Sequence, residues 1–137
     1  MDYKLEAIAL PVTDVDRAKA FYAEQAGFAV DVDHRADDSF RVVQLTPPGS
    51  ACSVMMGIGI TDSVPGAVKG LHLVVTDIEA AHAELAARGV QISTVRHMGS
   101  NGWVEGPDPE RSDYNSFAEF TDPDGNLWIV QERGHQA

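Results

Sequence analysis

Apolar and polar positions follow two rhythms along this chain, and the order of those rhythms occurs twice. Residues 5–12 are apolar or small almost without interruption and read as a strand. Val15, Ala18, Phe21 and Tyr22 then recur at helical spacing. Asp14 stands where a helix N-cap belongs, and Asp16 adds negative charge to the first turn, where the helix dipole favours it. Gly27 closes that helix. Residues 28–35 and 40–46 read as strands, a Pro47-Pro48-Gly49 corner reverses the chain, and 51–58 returns as a third. The same order restarts with a strand over 71–75 and a helix opened by Asp77, with Ile78, Ala81 and Leu85 on its inner face. Gly89 ends the helix, a strand is expected over 90–96, and residues 117–121 and 126–131 form a closing hairpin.

The repetition is visible in the letters themselves. L-P-V-T-D-V-D-R-A at 10–18 recurs as L-V-V-T-D-I-E-A-A at 73–81, a period of about 63 residues. That is too long for a solenoid repeat and too short for two independent domains. The expectation is one α+β domain over 1–137, built from tandem βαβββ half-modules of about 1–58 and 69–137 with a linker over 59–68. Two helices are expected, near 14–26 and 77–88. Residues 98–116, rich in Gly, Pro and charge, read as an irregular loop. This loop carries Trp103 and Tyr114, either as a lid over a pocket or as part of a segment folded back on the body.

Composition narrows the function classes. A net charge of −11 argues against nucleic acid and anionic membrane as partners, because both need a basic footprint. It suits either a solvated acidic surface or a cleft that attracts a cationic ligand. No apolar stretch is long enough to span a bilayer, and the first residues, Met1-Asp-Tyr-Lys-Leu-Glu, show no basic leader. With a single cysteine, Cys52, no internal disulfide forms, and the expected location is the cytoplasm. Zincin, dinucleotide-binding, P-loop, thiol-redox and serine-hydrolase motifs are all absent.

The V-T-D-[VI]-[DE]-x-A helix openings, the glycine-ended helices, the repeated βαβββ order and the D-P-D-G-N hairpin at 122–126 resemble the vicinal oxygen chelate superfamily. That group includes glyoxalase I, extradiol dioxygenases, methylmalonyl-CoA epimerase, and fosfomycin- and bleomycin-resistance proteins. The resemblance covers nearly the whole chain and is specific for a fold rather than for one activity. It implies a curled, largely antiparallel eight-strand sheet made from both halves, with a ligand cup on its concave side and two helices on its convex side. It also implies a homodimer.

In metal-using members of that group, ligands come from the first and last strands of each half. Matched strand to strand, those positions fall on Ala7, Ser53, Gly70 and Ile129. Alanine, glycine and isoleucine offer a divalent ion no side-chain donor, and a serine hydroxyl is a poor one. No metal ligand and no cofactor are therefore expected there, unless a shifted site exists. Strand alternation places Ala9 and His72 on the cup face with Ala7 and Gly70, Met55 with Ser53, and Gln131 with Ile129. Glu119 resembles a position that contacts substrate in the fosfomycin-resistance group. The expected cup has a small-residue floor of Ala7, Ala9 and Gly70 and apolar walls from Met55 and Ile129. Its few polar groups are Ser53, His72, Glu119 and Gln131.

Two functions follow. The first is metal-free binding of an apolar or aromatic small molecule, as in drug or metabolite sequestration. The second is a lyase, isomerase or dioxygenase-like enzyme for a small carbonyl, epoxide or aromatic compound. There His72 and Glu119 act as acid and base or, with Gln131, as ligands of a shifted metal. On parity His72 and Glu119 are expected to share the cup and to interact, directly or through one water, because a carboxylate in an apolar cup needs compensation. A structural ion pair and a catalytic one fit that expectation equally.

Overall fold

The structure, a computed structural model, describes residues 1–136. In chain order the elements are β1 (Ala7–Ala9), α1 (Val15–Ala20), β2 (Ala29–Asp37), β3 (Phe40–Thr46), β4 (Ser53–Ile58) and β5 (Lys69–Val75). They continue with α2 (Ile78–Ala87), β6 (Arg96–Gly99), β7 (Gly102–Glu105), β8 (Phe117–Thr121) and β9 (Leu127–Glu132). The chain divides into two compact units. One is Met1–Val68 together with Asp122–Asn126, and the other is Lys69–Thr121 with the chain from Leu127 onward.

In the first unit the sheet order is β1-β4-β3-β2, with β1 parallel to β4 and the other pairs antiparallel. Helix α1 packs against β4. Its N-cap is the expected Asp14, whose Oδ1 accepts the Arg17 N–H at 3.0 Å. Beyond Ala20 the helix widens into a π-turn over Phe21–Gln25, closed by the Ala26 N–H on the Phe21 carbonyl at 3.0 Å. Tyr22, in that turn, is fully buried among Leu10, Phe28 and the inner residues of β3 and β4 in the core.

Tyr22 leads to a densely bonded buried carboxylate. Its hydroxyl donates to Asp122 Oδ2 at 2.7 Å. The other Asp122 oxygen accepts the backbone N–H groups of Asp124 (2.9 Å) and Asn126 (3.0 Å), and Asn126 Nδ2 adds a bond to Oδ2 at 2.8 Å. Asn126 is itself fully buried, donating to the Pro11 carbonyl at 3.0 Å and accepting the Val68 N–H at 3.1 Å. The D-P-D-G-N signature is thus a side-chain-filled turn. It anchors the end of the first strand, the first helix and the linker together.

The second unit repeats the order as β5-β9-β8-β6, with β5 parallel to β9, and adds β7 outside β6. Helix α2 packs on β8 and β9. Asp77 caps it through the Ala80 N–H at 3.1 Å. Glu132, fully buried at the end of β9, accepts the Ile78 N–H at 2.8 Å. It also takes Arg111 in a two-pronged pair, Nε to Oε1 at 2.8 Å and Nη2 to Oε2 at 2.6 Å. Arg111 reaches this pair from a left-handed backbone (φ 51), a conformation that costs about 1 kcal/mol or more for a non-glycine residue. The pair thereby ties the 106–116 loop to the sheet.

The α+β class and the two capped helices match the expectation from sequence. The single eight-strand sheet does not: among the described residues there are two sheets, of four and five strands. The ninth strand lies inside the stretch expected to be irregular. Gly99 and Gly102 face each other in register across Ser100 and Asn101, so β6 and β7 form a tight hairpin. Conversely, residues 90–95 are not a strand. There the Ser93 hydroxyl, rather than a backbone carbonyl, accepts the Glu119 N–H at 2.9 Å, which interrupts the ladder.

Two outcomes test these anchors. Tyr22→Phe removes one donor from the buried Asp122 carboxylate and should lower unfolding stability by about 1–2 kcal/mol, measured by urea denaturation. Arg111 holds the Glu132 carboxyl below its ordinary value, mainly through the paired hydrogen bonds. That contribution is full above the unfolded glutamate value of about 4.3 and is lost as pH falls from there through the lower folded value. Glu132→Gln should cost about 3 kcal/mol at neutral pH and flatten the acid limb of the stability–pH curve. An unchanged acid limb would show that the pair does not govern it.

Candidate functional site

Side-chain burial alternates cleanly along β8 and β9: Ala118, Phe120, Trp128, Val130 and Glu132 are buried, and their neighbours are part-exposed. The buried set includes a stacked Phe120–Trp128 pair with ring centroids 6.1 Å apart. The other set forms an open face. Register places His72, Ile129 and Glu119 in one row across β5, β9 and β8 on that face. The next row runs Val74, Gln131, Phe117, Arg96 and Glu105 across all five strands.

Where β6, β7 and β8 meet, the open face is hollowed into a concavity of about 170 Å³ lined by Ser93, Arg96, Trp103, Phe117, Ala118, Glu119 and Ile129. Trp103 and Phe117 meet edge to face with centroids 5.6 Å apart, and the Arg96 guanidinium lies 4.2 Å over the Trp103 ring. Trp103 belongs to strand β7 rather than to a loop, and it remains 49% exposed.

The structure therefore brings together Trp103, Glu119 and Ile129 of the residues singled out from sequence. His72 shares their face but stands beyond Ile129. Its Nδ1 donates to the Gly70 carbonyl at 2.7 Å. Among the described residues no ion pair or hydrogen bond joins it to Glu119, so the expected direct pair is absent. The intervening β9 strand is the reason. Gly70 occupies an irregularity in the β5–β9 register with φ +92, a left-handed conformation that favours glycine over a ligand-bearing side chain. Gln131 donates to the Tyr114 carbonyl at 3.2 Å. Tyr114, half exposed with φ 66, lies in the loop, where the Arg133 guanidinium sits 5.7 Å from its ring. It does not line the concavity.

In the first unit, Ala7 and Ala9 pair in register with Ser53 and Met55, of which Ser53 is buried and Met55 part-exposed. Ser53 Oγ lies 2.6 Å from Thr46 Oγ1, and Thr46 in turn bonds Asp31. Gln44, the register partner of Met55, reaches Glu6 at 3.2 Å. Gln44 and Thr46 were not singled out from sequence, nor were Ser93, Arg96 and Phe117. For Phe117 the signal was present, since it has the same strand parity as Glu119. Arg96 gives no such signal: it is the last residue of the strand expected over 90–96 and the first of the strand observed.

The four positions matched to metal ligands do not fit an ion. Three have no side-chain donor, and the Ser53 hydroxyl is already engaged. Among the described residues the one grouping of His and carboxylate side chains compatible with a metal is Asp77, Glu132 and His135. Both Glu132 oxygens there are taken by Arg111, so a guanidinium already supplies the positive charge. Among the described residues no helix is long and apolar enough to cross a membrane.

Comparison with known proteins agrees with this architecture. An antibiotic binding protein, TnmS3 from Streptomyces sp. CB03234, is 28% identical, with 96% of each chain covered and a TM-score of 0.73. A glyoxalase/bleomycin resistance protein from the same organism is 29% identical over 93% of this chain and 99% of its own, with a TM-score of 0.71. The uncharacterized protein YetH of Bacillus subtilis (strain 168) is 23% identical over 130 residues, 94% of this chain and 98% of its own length. Residues 4–130 match the family model of the Glyoxalase/Bleomycin resistance protein/Dioxygenase superfamily, and the chain belongs to that superfamily.

Proposed function

We propose that this protein is a binding protein that takes an aromatic small molecule, without a metal, against Trp103, Phe117 and Ile129 on the open face of its second sheet. The observation that carries this reading is the half-bare Trp103 ring lining a concavity whose walls are mostly apolar and whose charged groups are few. The donor-poor residues at Ala7, Ser53, Gly70 and Ile129 support a metal-free mode. Likeness to an antibiotic binding protein supports sequestration over turnover. The enzymatic alternative rests on His72 and Glu119 sharing a face, and it is weakened by the separation that Ile129 imposes.

The same reading makes the protein a cytoplasmic homodimer. Val30 and Val32, each 41% exposed on the outermost strand β2, leave apolar surface along a free edge, a feature usually covered or blunted in a monomer. Light scattering on the purified chain should give twice the monomer mass, and a monomer at micromolar concentration would remove this part of the reading.

Trp103→Ala should weaken binding of anilinonaphthalene sulfonate, a fluorescent aromatic probe, by about tenfold, since an aromatic anchor contributes on the order of 1–3 kcal/mol. Because the ring is half exposed, unfolding stability should change by less than about 1 kcal/mol. Treatment with EDTA, or addition of Zn, Ni, Mn or Fe, should leave probe affinity unchanged. Stoichiometric metal required for binding would overturn the proposal.

A further inference from the structure

Two opposite charges line the concavity and neither is spent. Glu119 makes bonds through its backbone, its N–H to Ser93 Oγ and its carbonyl to the Ser93 N–H. Its carboxylate has no hydrogen-bond or ion-pair partner among the described residues. Arg96 contacts the Trp103 face and likewise has no carboxylate or carbonyl partner among the described residues, although Glu105 is its register neighbour on β7. A chain that pairs Arg41 with two aspartates and Arg111 with three carboxylates does not lack the means to neutralise an arginine. Arg96 is exposed and Glu119 part-exposed, so water satisfies both in the free protein and each remains available to a ligand that enters the hollow.

Glu119 also marks a boundary. With Ser93 it lines a second, more open concavity of about 340 Å³ that includes Gln91, Thr121 and Leu127. The carboxylate thus stands between an aromatic hollow and a polar groove.

From this arrangement we infer that the ligand is a flat aromatic compound with complementary ends: an anionic or carbonyl acceptor held by Arg96, and a hydroxyl or amine donor held by Glu119. The ring system lies against the exposed surface of Trp103 and Phe117, which already touch each other edge to face. The Arg96 guanidinium sits 4.2 Å over the indole and keeps N–H donors available to the ligand. Substituents beyond the donor extend over Ser93 and Gln91 into the groove. This inference rests on the open face of the second sheet being the ligand site, and it adds which chemistry that site selects.

The test uses three naphthalene probes measured by calorimetry on the intact protein: a hydroxynaphthoate with its two groups at opposite ends of the ring system, naphthoate, and naphthol. Hydroxynaphthoate should bind about tenfold more tightly than either single-function probe, the gain expected of one hydrogen bond to a charged group. Arg96→Met should abolish its advantage over naphthol and keep its advantage over naphthoate. Glu119→Ala should do the reverse. Both substitutions are at exposed or part-exposed surface positions, and circular dichroism would confirm the fold. Equal affinity of all three probes for the unaltered protein would overturn the inference and leave the site as one read by shape alone. So would variants that weaken all three probes alike. If no probe binds, the placement of the ligand site fails as well.

Discussion

The buried carboxylate of Asp122 is the constraint on which the rest depends. A charge at that depth is tolerated only when its lone pairs are filled, and here they are filled by Tyr22, Asn126 and two backbone N–H groups. None of these donors is dispensable without exposing the cost of the others. Asn126 extends the network to Pro11 and Val68, so one turn of five residues fixes segments that lie far apart in the sequence. The strands on either side of that turn, β8 and β9, pair with Phe120 opposite Trp128 on the buried side and Glu119 opposite Ile129 on the open side.

That register turns a structural constraint into chemistry. A one-residue slip would bury Glu119 and expose Trp128, destroying core and pocket together. With the slip forbidden, the buried side of the sheet can be filled with large apolar residues, closed at one end by the Glu132–Arg111 pair. The open side is then free to carry sparse polar groups among aromatic ones. On the proposed ligand face this leaves, among the described residues, a half-exposed indole, a guanidinium with no carboxylate or carbonyl partner and a carboxylate with no donor. The family's inherited metal positions play no part in that list.

Much of this was legible in the sequence because local rules and the repeat agree. Asp14 and Asp77 cap their helices as their positions imply, and Ile129 and Glu119, which the family resemblance assigns to the cup, are register partners on one face. What escaped the reading escaped for physical reasons. The β6–β7 hairpin turns at Ser100 and Asn101 before Gly102, a strong hairpin signal concealed in a stretch whose glycine and proline content suggested disorder of form. Trp103 lies on a strand of that hairpin and lines the concavity. Among the described residues no direct bond joins His72 to Glu119, because parity reports a shared face and not a distance, and a whole strand lies between them.

The central claim is that ligand binds on the open face of the second sheet without a metal. Amide chemical-shift mapping by NMR, with hydroxynaphthoate titrated into EDTA-treated protein, tests it directly. The account predicts shifts centred on Ser93, Arg96, Trp103, Phe117, Glu119 and Ile129, unaltered when divalent metal is added back. Shifts confined to Ala7, Ser53 and Met55 in the first unit, or appearing only after metal is restored, would contradict it.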